Sequence, residues 1–121
     1  METETPERRG EPRHQTHLEV DYAADSTFMY AYIKDISSTG IFVGTETLQP
    51  VGTILQLRFS PGAEAPPIEV EGEVMWNTER AEGGATQGMG IRFTDMGEKT
   101  RQRVLEIVRK IAYLADETHG D

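Results

Sequence analysis

The 121-residue sequence has no cysteine. That absence excludes disulfides, thiolate nucleophiles and thiolate metal sites, and it agrees with a reducing compartment, so the cytoplasm is the expected address. Long apolar runs are missing too. No window approaches the ~18 residues of a membrane helix, and Met1 to Pro6 is polar and acidic, unlike a secretory leader. Neither a signal peptide nor membrane insertion is expected. Positive charge is scarce, with 12 Lys and Arg against 21 Asp and Glu, a net charge of −9 and a pI near 4.8. Binding to duplex DNA or RNA depends on a basic surface that releases counterions, so a duplex partner is not expected. Histidine is limited to three residues. His14 and His17 read as a loop position and a strand edge, which does not make a metal site. There is no HExxH motif and no glycine-rich phosphate loop before a helix, so neither an enzyme nor a resident cofactor is expected.

What is present reads as one domain, large enough to bury roughly two-thirds of its unfolded surface. Residues 8–116 form the expected folded unit, between a mobile tail at 1–7 and a short tail at 117–121. Leu18, Val20 and Tyr22 alternate with Glu19 and Asp21, the period-2 pattern of a half-buried strand beginning near His17. A turn at 23–26 leads to a second strand, Phe28 to Asp35, apolar enough on both faces to be central. A third runs from Gly40 to Thr45. The fourth is Thr53 to Phe59, with Leu55, Leu57 and Phe59 on the core face. Prolines in the 60–67 segment make it a loop. Ile68, Val70, Gly72, Val74 and Trp76 then alternate with Glu69, Glu71 and Glu73, which predicts one core face and one solvated carboxylate face. Trp76 reads as core or as a stacking surface at the strand end. The sixth strand is Gly88 to Phe93, with Met89, Ile91 and Phe93 inward, and its two glycines predict a bulge or bend.

The period then changes. Val104, Leu105, Ile107, Val108, Ile111, Leu114 and Ala115 fall at helical spacing, with Asp95 as expected N-cap and Glu98 three residues on, predicting one helix over residues 97–116. The expected class is therefore mainly β. Six short antiparallel strands remove their edges by curling into a barrel, with one C-terminal α-helix over an open end.

Two stretches carry candidate chemistry. Asp35-Ile36-Ser37-Ser38-Thr39-Gly40 turns one strand into the next through an ionised acceptor, a hydroxyl and a glycine that tolerates φ > 0 or close backbone approach. Arg8, Arg9 and Arg13 lie within six residues just before the first strand, with Glu7 and Glu11 interleaved. Guanidinium groups bond phosphate oxygens and the guanine O6/N7 edge in bidentate fashion, and a carboxylate accepts from guanine N–H groups. The same residue types also serve as solvated arginines and an Asx-turn.

Arg9-x-x-x-Arg13 followed by Asp35-x-Ser37-x-x-Gly40 resembles the paired RxxxR and [D/N]xSxxG motifs of the PilZ family. The likeness continues through Val51-Gly52-Thr53, the strand from Ile68 to Trp76, and Gly88 to Phe93, so that it spans roughly residues 8–115. The resemblance implies a six-stranded PilZ-like antiparallel barrel with a C-terminal helix, and binding of cyclic di-GMP, a bacterial second messenger. It implies that Arg9 and Arg13 clamp phosphate and guanine edges with Arg8 as helper, and that Asp35, Ser37 and Gly40 meet guanine and sugar-phosphate. Two classes of function stay open: a nucleotide-responsive receptor relaying the messenger level to an unidentified partner protein, and a PilZ-fold interaction module that does not bind the nucleotide and acts in motility or related signalling. A monomer or weak homodimer is expected.

Overall fold

The computed structural model describes residues 13–60, 65–78 and 87–120, with helix side chains described through residue 112. Six strands, β1 (His14–Ala23), β2 (Met29–Ile36), β3 (Gly40–Gly44), β4 (Ile54–Phe59), β5 (Ile68–Asn77) and β6 (Gly88–Phe93), precede helix α1 (Glu98–Gly120). All neighbouring strands are antiparallel and the barrel closes in the order β1-β2-β3-β6-β5-β4. The first three strands form a meander. The chain then crosses to β4, which pairs with β1 on one side and β5 on the other, and β6 returns to β3. Closure leaves no strand as a full-length edge.

Alternation sorts the side chains as the sequence predicts. Ile33, Ile41, Val43, Leu55, Leu57, Val74 and Met89 are buried in the barrel, and Val104 and Ile107 of α1 join the same core. The helix packs against β1 and β5. Its Arg103 guanidinium donates to the carbonyls of Pro66 and Pro67 at 2.6 and 3.3 Å, tying the start of β5 to the helix.

Ends of β2, β3, β4 and β5 move by one residue from expectation, and the differences at β1 and the helix have structural reasons. β1 starts at His14 because His14 and Gln15 still pair with Ile36 and Asp35 of β2, across a register shift between Gln15 and Leu18 that interrupts the alternation. The helix starts at Glu98, with the Gly97 carbonyl accepting from the Arg101 N–H at 2.9 Å, so Gly97 and not Asp95 occupies the cap position. It also runs to Gly120.

Tyr22 is the largest fully buried side chain among the described residues, and its hydroxyl donates to the Thr47 carbonyl at 2.9 Å and bonds Thr45 Oγ1 at 2.9 Å. It pins the segment after β3 to β1. Tyr22→Phe keeps the ring and leaves that carbonyl without its donor, so a loss of about 1–2 kcal/mol is expected. Urea unfolding checks it as a lower midpoint at unchanged slope; an unmoved midpoint would show the bond to be worth nothing net.

Candidate functional site

Residues 36–41 make the corner between β2 and β3. The Ser37 N–H donates to the Gly40 carbonyl at 2.9 Å, and Ser37 Oγ accepts from the N–H groups of Thr39 and Gly40 at 3.2 and 3.3 Å. The same oxygen lies 3.2 Å from Thr39 Oγ1. Ser37 is fully buried, so its hydroxyl builds the corner from inside. Ser37→Ala takes the acceptor from the buried Gly40 N–H and the part-buried Thr39 N–H, and is expected to cost about 1–3 kcal/mol. Thermal unfolding without added ligand reads this out, and an unchanged transition would mean that the corner holds without the hydroxyl.

Gly40 serves close approach. A Cβ there would run into the Ile91 carbonyl oxygen and sit 3.2 Å from Arg92 Cα, because β3 and β6 are paired at this level. Its φ is not positive; Gly52 alone has that among the described residues.

Asp35 precedes the corner and points outward. Its Oδ1 accepts from Arg13 Nε at 2.8 Å and Nη2 at 2.7 Å, and Arg13 Nη1 lies 3.5 Å from Ser37 Oγ. The residue just before β1 thus reaches, 22 positions along the chain, the corner that the motif reading joined to it. Both side chains are about 30% exposed, at 31% and 30%, so the pair is partly screened and ligand-accessible. Arg8 and Arg9 lie outside the described residues.

Asp35 is the cross-strand partner of Phe42, which puts that ring beside the carboxylate on the outer face. Phe42 stacks on Trp76, with centroids 5.3 Å apart and planes at 19°. Trp76 is outward, not in the core, because a register shift between Val74 and Trp76 reverses the side on which the ring emerges. The bulge lies in β5, opposite the glycine-containing strand where it was expected. Gly90 lies under the indole, where any Cβ would strike the ring. Phe42 escaped the sequence reading, although its parity opposite Ile41 and Val43 marks it as an outward aromatic.

On the other side of Asp35, Lys34 Nζ contacts His17 Nδ1 at 3.3 Å, and His17 stacks on Tyr32 at 4.1 Å. Tyr30 donates to the Tyr32 hydroxyl at 3.2 Å. That bond, followed by partial desolvation and the Glu19 carboxylate, pushes the Tyr30 phenol above the ordinary tyrosine range and keeps it protonated. A groove of about 540 Å³ runs between residues 17–21 of β1 and Arg58, Phe59 and Ser60, but none of Arg13, Asp35, Ser37 or Gly40 lines it. The corner is an open surface, suited to a ligand held by charge and stacking.

The sequence model of the PilZ domain matches residues 7–110. The chain belongs to the PilZ family. No curated protein sequence matches it. Among solved structures, the PilZ domain with c-di-GMP of YcgR from Escherichia coli is 17% identical with a TM-score of 0.70, over 92% of this chain and 96% of that one. YcgR in complex with c-di-GMP, also from Escherichia coli, is 17% identical with a TM-score of 0.73, over 92% of this chain and 49% of that one. The Bacillus subtilis inhibitor of motility MotI/DgrA is 20% identical with a TM-score of 0.69, over 85% and 50% respectively. This PilZ chain thus spans about half the length of the YcgR complex chain and of MotI. At these identities the likeness is one of fold: a six-stranded closed barrel with a C-terminal helix.

Proposed function

We propose that this PilZ chain is a receptor for cyclic di-GMP that relays occupancy to a partner protein. The observation that carries the reading is the reach of Arg13 to Asp35 and Ser37, which joins the arm before β1 to the corner between β2 and β3. In this reading Arg13, with Arg9 and Arg8 before it, turns from Asp35 to the phosphates and the guanine O6/N7 edge. The Asp35 carboxylate then accepts from guanine N–H groups, as acceptor-only groups do when ionised. Gly40 lets β3 sit against β6 at the corner, Ser37 holds the corner's shape, and the Phe42–Trp76 pair offers a π-face for a base.

Electrostatics set the conditions. The ligand is a dianion and the chain carries −9, yet screening within about 8 Å at physiological salt limits repulsion to nearby charges. The test is calorimetric titration with cyclic di-GMP at stated ionic strength. Saturable binding that weakens as salt is raised is the expected result, and no binding at tens of micromolar would sink the receptor reading. A second reading, a PilZ module that works through protein contacts alone, draws on the same ion pair: Arg13 satisfies Asp35 within the chain itself.

A further inference from the structure

Six large apolar side chains are exposed among the described residues. Three touch a cation or another ring: Phe28 lies 4.5 Å from the Arg58 guanidinium, Tyr30 bonds Tyr32, and Trp76 stacks on Phe42. The other three, Val51, Ile54 and Met75, are between 44% and 61% exposed, and Trp76, next to Met75 in the chain, is 48% exposed. Strand pairing sets Ile54 beside Met75. Ile54 is the cross-strand partner of Glu73. Just beyond, the Gly52 N–H donates to the Val74 carbonyl at 2.8 Å and the Val74 N–H donates to the Thr53 carbonyl at 2.9 Å. The 51–54 segment therefore runs alongside 73–75, and Ile54 and Met75 become diagonal neighbours on the outer face, within reach of each other's side chains. The register shift after Val74 exposes Met75 and Trp76 in succession. Exposed apolar residues are ordinary when scattered, but a contiguous group with a polar rim marks an interaction surface.

We propose that this patch on β4 and β5 docks a partner protein that presents an apolar side chain flanked by lysine or arginine. Charge selects that occupant. The outward row of Glu69, Glu71 and Glu73 leads along β5 to the patch. Glu73 pairs with Arg92 at 3.4 Å and Glu71 accepts from the Thr94 hydroxyl at 2.9 Å, while Glu69 has no ion pair with any described residue. A second copy of the chain would set two such rows face to face, and an anionic membrane would meet the same repulsion. A basic rim gains from the row while its apolar centre covers Met75 and Ile54. The patch also adjoins the proposed nucleotide corner, since Trp76 stacks on Phe42, the cross-strand partner of Asp35.

The docking surface takes up the relay proposed above, yet it is tested without the dinucleotide, so the two can fail separately. Two synthetic amphipathic peptides with the same leucine face, one rimmed by lysine and one by glutamate, are titrated into the isotope-labelled full chain and followed by amide chemical shifts. The lysine-rimmed peptide is expected to give saturable shifts at residues 51–55 and 73–76, with at least tenfold weaker binding for the glutamate-rimmed one. Ile54→Ser/Met75→Ser, and separately Glu69→Lys, should each weaken binding severalfold at an unchanged unfolding midpoint. Shifts elsewhere, equal binding of both peptides, or no saturation would overturn the proposal. So would a dimer in sedimentation that the double variant abolishes, since the occupant would then be a second copy.

Discussion

Arg13→Ala is expected to weaken cyclic di-GMP binding by about 1.5–3 kcal/mol, the worth of charge-assisted hydrogen bonds, which is a factor of roughly ten to a hundred or more in Kd. The same change should hardly touch stability. The Arg13–Asp35 pair is about 30% exposed on both sides, and pairs of that kind contribute no more than about 1 kcal/mol. A large loss of affinity beside a small shift in unfolding midpoint is therefore the signature of a ligand clamp, and titration calorimetry with denaturant unfolding measures both. Arg13→Lys restores the charge without the planar fork, so it should recover only part of the affinity. If Arg13→Ala bound the dinucleotide as tightly as the parent, the role given to this guanidinium would be wrong.

Asp35 makes the complementary case. Its Oδ1 is held by two guanidinium nitrogens of Arg13, so the proposed binding would exchange one set of charged hydrogen bonds for another. In the receptor reading the ion pair would both preorganise the corner and compete with the ligand. Asp35→Ala removes both the acceptor proposed for guanine and the competitor for Arg13. Its net effect on affinity should therefore be smaller than that of Arg13→Ala, and the double variant should not show the sum of the two, because directly interacting residues are not additive.

Much of this was legible in the residues. The row from Ile68 to Val74 declared an inward apolar face and an outward carboxylate face, and β6 has the predicted limits because Met89, Ile91 and Phe93 alternate without interruption. The pairing of Arg13 with Asp35 was legible only as a motif, since no periodicity links positions 22 apart. Register irregularities were not legible. Trp76 shares parity with Val74, so alternation alone would turn it inward, and only the paired strand shows that one residue slips out of register between them. The gap between Gln15 and Leu18 hid the start of β1 in the same way. A bulge is decided between two strands, and a pattern read along one strand does not contain it.

Gly40→Ala is expected to be the most damaging single-methyl change in the corner. The new Cβ would meet the Ile91 carbonyl oxygen and lie 3.2 Å from Arg92 Cα, both backbone atoms of β6 that no rotamer change can move aside. Either the β3–β6 pairing shifts or the corner opens. Overpacking of this kind costs about 1–3 kcal/mol, which for a domain of this size lowers Tm by several degrees. The loss differs in kind from that of Arg13→Ala, because stability and dinucleotide affinity should fall together as Ser37, whose N–H bonds the Gly40 carbonyl, is displaced with the turn. Differential scanning calorimetry supplies the first quantity and titration at a temperature where the variant is still folded supplies the second. A variant with unaltered Tm would show that the strands absorb the methyl group, and a variant destabilised but binding normally would separate the corner's backbone geometry from recognition.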